Sequence, residues 1–184
     1  RAERCRPGIT ALMRVAGRDP SRARASDMGF SVGPRLNAAG RLEDMSLGIE
    51  CLLADSPDHA MQLATELDRL NQERREIEDG MREQAMAAIA DIQLNAGSLP
   101  WGLTLFNPDW HQGVIGLVAA RIKERYHRPT IAFAPGDEGQ VKGSARSIPG
   151  LHIRDALAEL DARHPGILGK FGGHAMAAGM SLAA

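Results

Sequence analysis

Through the middle of the chain, apolar positions recur at helical spacing. Ala60, Leu63, Ala64, Leu67, Leu70, Ile77, Met81, Ala85, Ala88, Ile89 and Ile92 form one stripe, with charged residues filling the other faces. Ser56 suits an N-cap, Pro57 the first helical position, and Asp58 the positive end of the helix dipole. The pattern predicts a single helix from Pro57 to about Gln93, roughly 55 Å long at 1.5 Å per residue. Gly80 is the expected bend, at about 1 kcal/mol against alanine. Asn95-Ala96-Gly97-Ser98 is the expected stop. A helix of that length reads as a connector. It divides the chain into residues 1–55, the connector at 56–95, and residues 96–184.

Beyond the connector the periodicity alternates. Trp101–Phe106, Pro129–Ala134, Gln140–Ala145 and Ala177–Leu182 read as strands, and Gly113–Tyr126 and Ile153–Ala162 as helices. Residues 171–176 read as a glycine-rich loop before the last strand. This alternation predicts an α/β domain with a mixed, partly parallel sheet.

Composition narrows the function. Hydrophobic residues make up 43% and charged residues 24%, so the chain can build a core. At 4%, aromatics are too few for a base-stacking platform. Cys5 and Cys51 read as reduced thiols, not as a disulfide scaffold or zinc site. With no leader and no long apolar run, a cytoplasmic protein without membrane contact is expected. The chain opens on Arg1 and reads as a piece of something larger. Its net charge of −1 hides an asymmetry: residues 1–42 carry +6, residues 43–95 carry −9 and residues 96–184 carry +2. Two basic blocks around an acidic spacer suggest surfaces turned toward an anion.

Four segments put small residues beside Arg, His or Ser. In Gly33-Pro34-Arg35-Leu36-Asn37-Ala38-Ala39-Gly40-Arg41, Arg35 and Arg41 can reach phosphates and Asn37 can support them. The plainer alternative is a turn and helix start with solvated arginines. Trp110-His111-Gln112-Gly113-Val114-Ile115-Gly116 precedes a helix N-terminus, where an anion is favoured, or where His111 simply caps. Gly143-Ser144-Ala145-Arg146-Ser147 ends a strand, and a carboxyl strand end in a parallel sheet would present Ser144 and Arg146 to phosphate. Phe171-Gly172-Gly173-His174-Ala175-Met176-Ala177-Ala178-Gly179 has a side-chain-poor surface around His174.

Acidic residues near these segments are scattered singly, so no metal ligands are assigned within the chain. A two-metal hydrolytic site needs converging carboxylates and histidines. The residues alone point to a phosphate-binding α/β piece of a larger nucleic-acid or nucleotide enzyme.

Taken in order, these four segments and Leu67-Asp68-Arg69-Leu70-Asn71-Gln72-Glu73-Arg74-Arg75 resemble the RecJ family of single-strand-specific 5′→3′ DNA exonucleases, in the DHH/DHHA1 phosphoesterase superfamily. The resemblance runs from about Arg6 to Leu182. It implies the end of a DHH catalytic domain at 1–55, a connecting helix, and a DHHA1 domain at 96–184. Single-stranded DNA would thread the cleft between the domains. Mn2+ or Mg2+ would sit on Asp and His residues that lie outside this chain, so the chain alone should be inactive and bind no ion. By the same resemblance, Ser144 and Arg146 grip backbone phosphates, and Gly172, Gly173 and a catalytic His174 meet the scissile region. Arg35, Asn37, Arg41 and His111 join the DNA-binding set. Two alternatives stay open. One is an oligoribonuclease or cyclic-dinucleotide phosphodiesterase of the same superfamily. The other is a non-catalytic DHHA1-like nucleic-acid-binding module. An apolar stripe left exposed on the connecting helix would also favour a homodimer.

Overall fold

The computed structural model describes residues 5–96 and 98–183. The chain forms two compact units, Arg1–Glu76 and Ile77–Ala184, and the boundary falls inside the long helix.

The first unit is helical. Helix α1 (Pro7–Val15) starts on Pro7 and buries Gly8, Ala11, Leu12 and Met13. A side chain at Gly8 would run into the backbone carbonyl of Cys51, so glycine sets how closely these two segments approach. A short α2 (Ala25–Asp27) passes through a π-turn at Met28–Val32 into α3 (Gly33–Leu42), and α4 (Ser46–Leu53) follows. The Asp44 carboxylate, one residue ahead of the Met45 cap, accepts from the Ser46 hydroxyl at 2.6 Å and the Ser46 amide at 2.7 Å. Those hydrogen bonds hold its pKa below the ordinary carboxylate value.

The connector is one helix, α5 (Pro57–Ala96), started by Pro57 as expected and running through Gly80. Gly97 of the anticipated stop lies outside the described residues. Much of the apolar stripe is buried, although Ala88 is exposed and Leu63, Ile77 and Ile92 are half-buried. Ala60, Ala64, Leu67 and Leu70 sit in the first unit's core, and Met81, Ala85 and Ile89 are also buried.

The second unit carries β1 (Leu103–Phe106), α6 (Ile115–Tyr126), β2 (Thr130–Pro135), β3 (Gln140–Arg146), α7 (Ile153–Arg163), β4 (Leu168–Gly173) and β5 (Ala177–Ala183). The strands form one sheet in the order β1-β2-β3-β5-β4. Among the described residues, only β1 and β2 pair in parallel; the other three pairings are antiparallel. Two expectations need correction. Gly172 and Gly173 lie on β4, not in a loop. Leu-Gly-Lys-Phe-Gly-Gly has few strand formers, so its strand state comes from pairing with β5 and from seating Leu168 and Phe171 at the core. In addition, β3 runs antiparallel to both neighbours, so Ser144 and Arg146 do not lie at a carboxyl end of a parallel sheet.

Side chains alternate between the faces of this sheet. One face packs Phe133, Ala145, Ala178, Met180 and Leu168 against Ile153 and Leu157 of α7. The other face carries Lys142, Ser144 and Arg146, and the first turn of α6 lies against it at Gly116.

Candidate functional site

Registry across three strands builds the site. On the face away from α7, Ser144 of β3 stands opposite Gly179 of β5, which stands opposite Gly172 of β4. Arg146 stands opposite Ala177 at one end of this row; at the other, Lys142 stands opposite Ser181, and Ser181 opposite Lys170. The surface is thus floored by glycine and alanine and edged with cations and hydroxyls. Gly172 and Gly179 are both exposed. A strand floor without side chains lets an extended polymer approach the protein backbone closely.

Arg146 is held rather than waving in solvent. Its Nη1 donates to Ser144 Oγ at 2.9 Å and to the Ala145 carbonyl at 2.8 Å. A Cβ on Gly116 would stand 2.8 Å from Arg146 Nη2 and 2.9 Å from Ser144 Oγ. Glycine at the start of α6 thus lets the guanidinium and hydroxyl sit against that turn without shifting. Sequence segments 110–116 and 143–147 meet here. His111 Nδ1 accepts from the Gly113 amide at 3.1 Å and the His111 carbonyl accepts from Val114 at 3.0 Å. So His111 shapes the turn leading into α6. Gln84 of α5 steadies the same loop, accepting from Trp110 Nε1 at 2.7 Å and Asn107 Nδ2 at 3.3 Å.

His174 is exposed at the turn between β4 and β5, where its amide donates to the Ala177 carbonyl at 2.8 Å. Gly173 makes this turn possible, with φ at +151° and Ala177 and Ala178 crowding the place of a side chain. The turn is tied down from outside the hairpin. The Met176 carbonyl accepts from the Ser147 amide at 2.9 Å, and the Ala175 carbonyl from the Ile153 amide at 3.0 Å. Buried Ser147 adds a bond from its hydroxyl to the Leu151 carbonyl at 2.7 Å.

The first-unit candidates behave differently. The segment Gly33–Arg41 is α-helical throughout, with no open loop. Arg35 is largely buried and forks between Asp68 Oδ1 and the Ser31 carbonyl, both at 2.7 Å. Asn37 is exposed and Arg41 half-buried on the same helix. Sequence reasoning missed Lys142, Lys170 and Ser181. Period-2 alternation along 140–146 already placed Lys142 with Ser144 and Arg146, but Lys170 fell in a segment read as loop.

Among the described residues, no three His, Cys, Asp or Glu side chains converge as metal ligands. The described residues therefore do not fit a Mn2+ or Mg2+ centre. No helix among them is long and apolar enough to cross a membrane.

Residues 100–184 match the DHHA1 domain family. The single-stranded-DNA-specific exonuclease RecJ of Escherichia coli (strain K12) is 58% identical over 182 residues, 99% of this chain and 32% of that protein. This is a RecJ-type segment of the DHH/DHHA1 superfamily. The RecJ of Bacillus subtilis (strain 168) is 36% identical over 180 residues, covering 97% of this chain and 22% of the relative. The crystal structure of RecJ in complex with Mg2+ from Thermus thermophilus matches with a TM-score of 0.78 at 30% identity, over 96% of this chain and 26% of that one. An exonuclease RecJ bound to manganese matches at 0.73 and 32% identity, over 96% and 41%. The chain thus spans about a third of the length of a curated RecJ relative. The DHHA1 match takes in the whole five-stranded sheet and both helices packed on it.

Proposed function

We propose that this chain is the part of a single-stranded-DNA-specific 5′→3′ exonuclease that holds the DNA backbone while a divalent-metal site elsewhere in the protein hydrolyses it. Acting in DNA repair and recombination, the whole protein works in the cytoplasm. The reading rests above all on one observation: strand registry sets Arg146 and Ser144 beside a bare row of Gly179 and Gly172, next to the His174 turn. Such a surface suits a polyanion read by its backbone, since it offers fixed donors and no aromatic platform for bases. In this role Arg146 and Ser144 hold a phosphate, Gly172 and Gly173 let the strand lie close, and His174 reaches the scissile region. His111 supports the α6 turn beside Arg146. Asn37 and Arg41 are lesser backbone contacts on α3, whereas Arg35 acts as a tie to Asp68. The Mn2+ or Mg2+ is held by groups other than those described, so the isolated chain leaves labelled single strands intact in Mn2+. Contaminant-free degradation would overturn that point.

Arg146→Ala in the whole protein tests the assignment. A charge-assisted contact to phosphate is blind to base identity. Single-strand affinity should therefore fall about equally for every sequence, by about 1–3 kcal/mol, and the salt slope should become shallower by about 0.7. Arg146→Lys should restore only part, because an ammonium lacks the planar fork. Unchanged affinity and slope in Arg146→Ala would remove Arg146 from the site.

A further inference from the structure

We propose that a second backbone-phosphate subsite lies between Lys142 and Lys170, at the opposite end of the same sheet face from Arg146. The inference rests on the DNA-backbone reading above and extends it to two residues and a cleft with no assigned role.

Lys142 and Arg146 project from the same side of β3 four residues apart, about 13 Å at 3.3–3.4 Å per residue. Ser144 stands midway, so charged or hydroxyl groups recur every second residue along the strand. Across the sheet, Lys142 is in register with Ser181, and Ser181 with Lys170. Between them opens a cleft of about 390 Å³, lined by Gln140, Lys142, Gly169, Lys170, Ser181 and Leu182.

Its construction is specific. The register slips between Leu168 and Lys170, a bulge that falls on Gly169. There the Lys170 amide donates to Ser181 Oγ at 3.1 Å. Ser181 is only 7% exposed yet lines the cleft. Its hydroxyl accepts that bond and, among the described residues, donates to none, so its proton is available to a ligand oxygen. Lys142 lines the cleft from β3. Its methylene stem lies over Gly136, where a Cβ would stand 3.2 Å from Lys142 Cε, and its ammonium donates to Gln140 Oε1 at 3.1 Å. Lys170 is exposed and makes no ion pair or side-chain hydrogen bond among the described residues. Among the described residues, no carboxylate lines the cleft. Two lysines and a buried hydroxyl lining one cleft, with Gly169 where a side chain would crowd Ser181 Oγ, fit a tetrahedral oxyanion repeated along a polymer. Point charges of this kind bind phosphate without demanding the planar geometry that Arg146 supplies.

The test is a length series of single strands binding the whole protein, with metal chelated so that the strands stay intact. Lys142→Gln/Lys170→Gln is compared with the wild type and with Lys142→Arg/Lys170→Arg. A dinucleotide held at the Arg146 end is too short to reach the cleft, so its affinity should not change. An octanucleotide should bind the glutamine variant roughly tenfold more weakly, with a salt slope shallower by about 1.4 for two lost contacts. The arginine variant should keep the wild-type slope. An unchanged octanucleotide affinity and slope would overturn the subsite, as would an equal loss on the dinucleotide. If Arg146→Ala weakens binding while the lysine pair has no effect, only the subsite fails. If neither does, the DNA-backbone reading itself fails.

Discussion

Two segments of this chain share a composition and do opposite things. Gly33–Arg41 and Gly143–Ser147 both set arginine among small residues. In the first, the segment is a helix, and Arg35 spends its charge inside the unit on Asp68 and the Ser31 carbonyl. In the second, the segment is a strand end, and Arg146 is braced by Ser144 and the Ala145 carbonyl on a sheet face floored with glycine. The small residues differ in purpose as well. Ala38 and Ala39 let α3 bury a face in the helical core, whereas Gly172 and Gly179 leave a surface bare. Small neighbours around an arginine therefore mark close packing of some kind, and the element decides whether protein or ligand does the packing.

The largest expected effect tests the packing half of that comparison. Asp68→Ala leaves the largely buried Arg35 guanidinium without its counter-charge, and should cost about 3 kcal/mol of stability. Arg35→Met/Asp68→Leu should recover most of it, since an apolar pair of similar volume avoids desolvating two charges. Chemical denaturation of both variants is the measurement. If Asp68→Ala were neutral to stability yet weakened DNA binding, the two arginine segments would not differ as argued.

Next in size is Gly173→Ala, which strains a backbone with φ at +151° and drives a methyl group toward Ala177 and Ala178. A loss of roughly 2 kcal/mol is expected. It should appear as a lower midpoint for the second unit, together with weaker single-strand binding, because the His174 turn moves. Retained stability and retained binding would mean that β4 tolerates bulk and that the bare floor is incidental.

The smallest effect concerns the acidic block on α5. There Arg69 pairs with Glu66 at 2.6 Å and Glu73 at 2.9 Å. The hydrogen bond from Arg69 holds Glu66 below the usual carboxylate pKa. A depressed folded-state pKa means the stabilising contribution is complete above the unfolded value, near 4.3. It is lost as pH falls through the lower folded value. Glu66→Gln should therefore cost only about 0.3–0.5 kcal/mol at neutral pH, and the difference from wild type should vanish in acid. A difference that persisted once the carboxyl is protonated in both states would show that packing, not charge, is at stake.

The long helix is largely legible in the linear pattern, although it runs on through Asn95 and Ala96 of the expected stop. Ser56, Pro57 and an apolar stripe over about nine turns fix its start, its face and its type, because helix formation answers to near neighbours. The strands at 103–106, 130–135, 140–146 and 177–183 are legible for the same reason, within a residue or two of their ends. What the helical stripe packs against is not legible. Periodicity says that a face will be buried but not by which surface, and here Ala60 to Leu70 are taken up by α1, α3 and α4. Strand β4 is invisible in the pattern because Gly169, Gly172 and Gly173 carry no local preference for it; only pairing with β5 supplies one. With β4 unread, the row Ser144–Gly179–Gly172 and the cleft between Lys142 and Lys170 cannot be assembled, since both depend on registry between segments about 30 residues apart. Local pattern thus dictates which residues carry chemistry and which element most of them occupy. Which of them share a face is settled only in the folded sheet, because strand pairing is a long-range choice set by side-chain burial across all five strands.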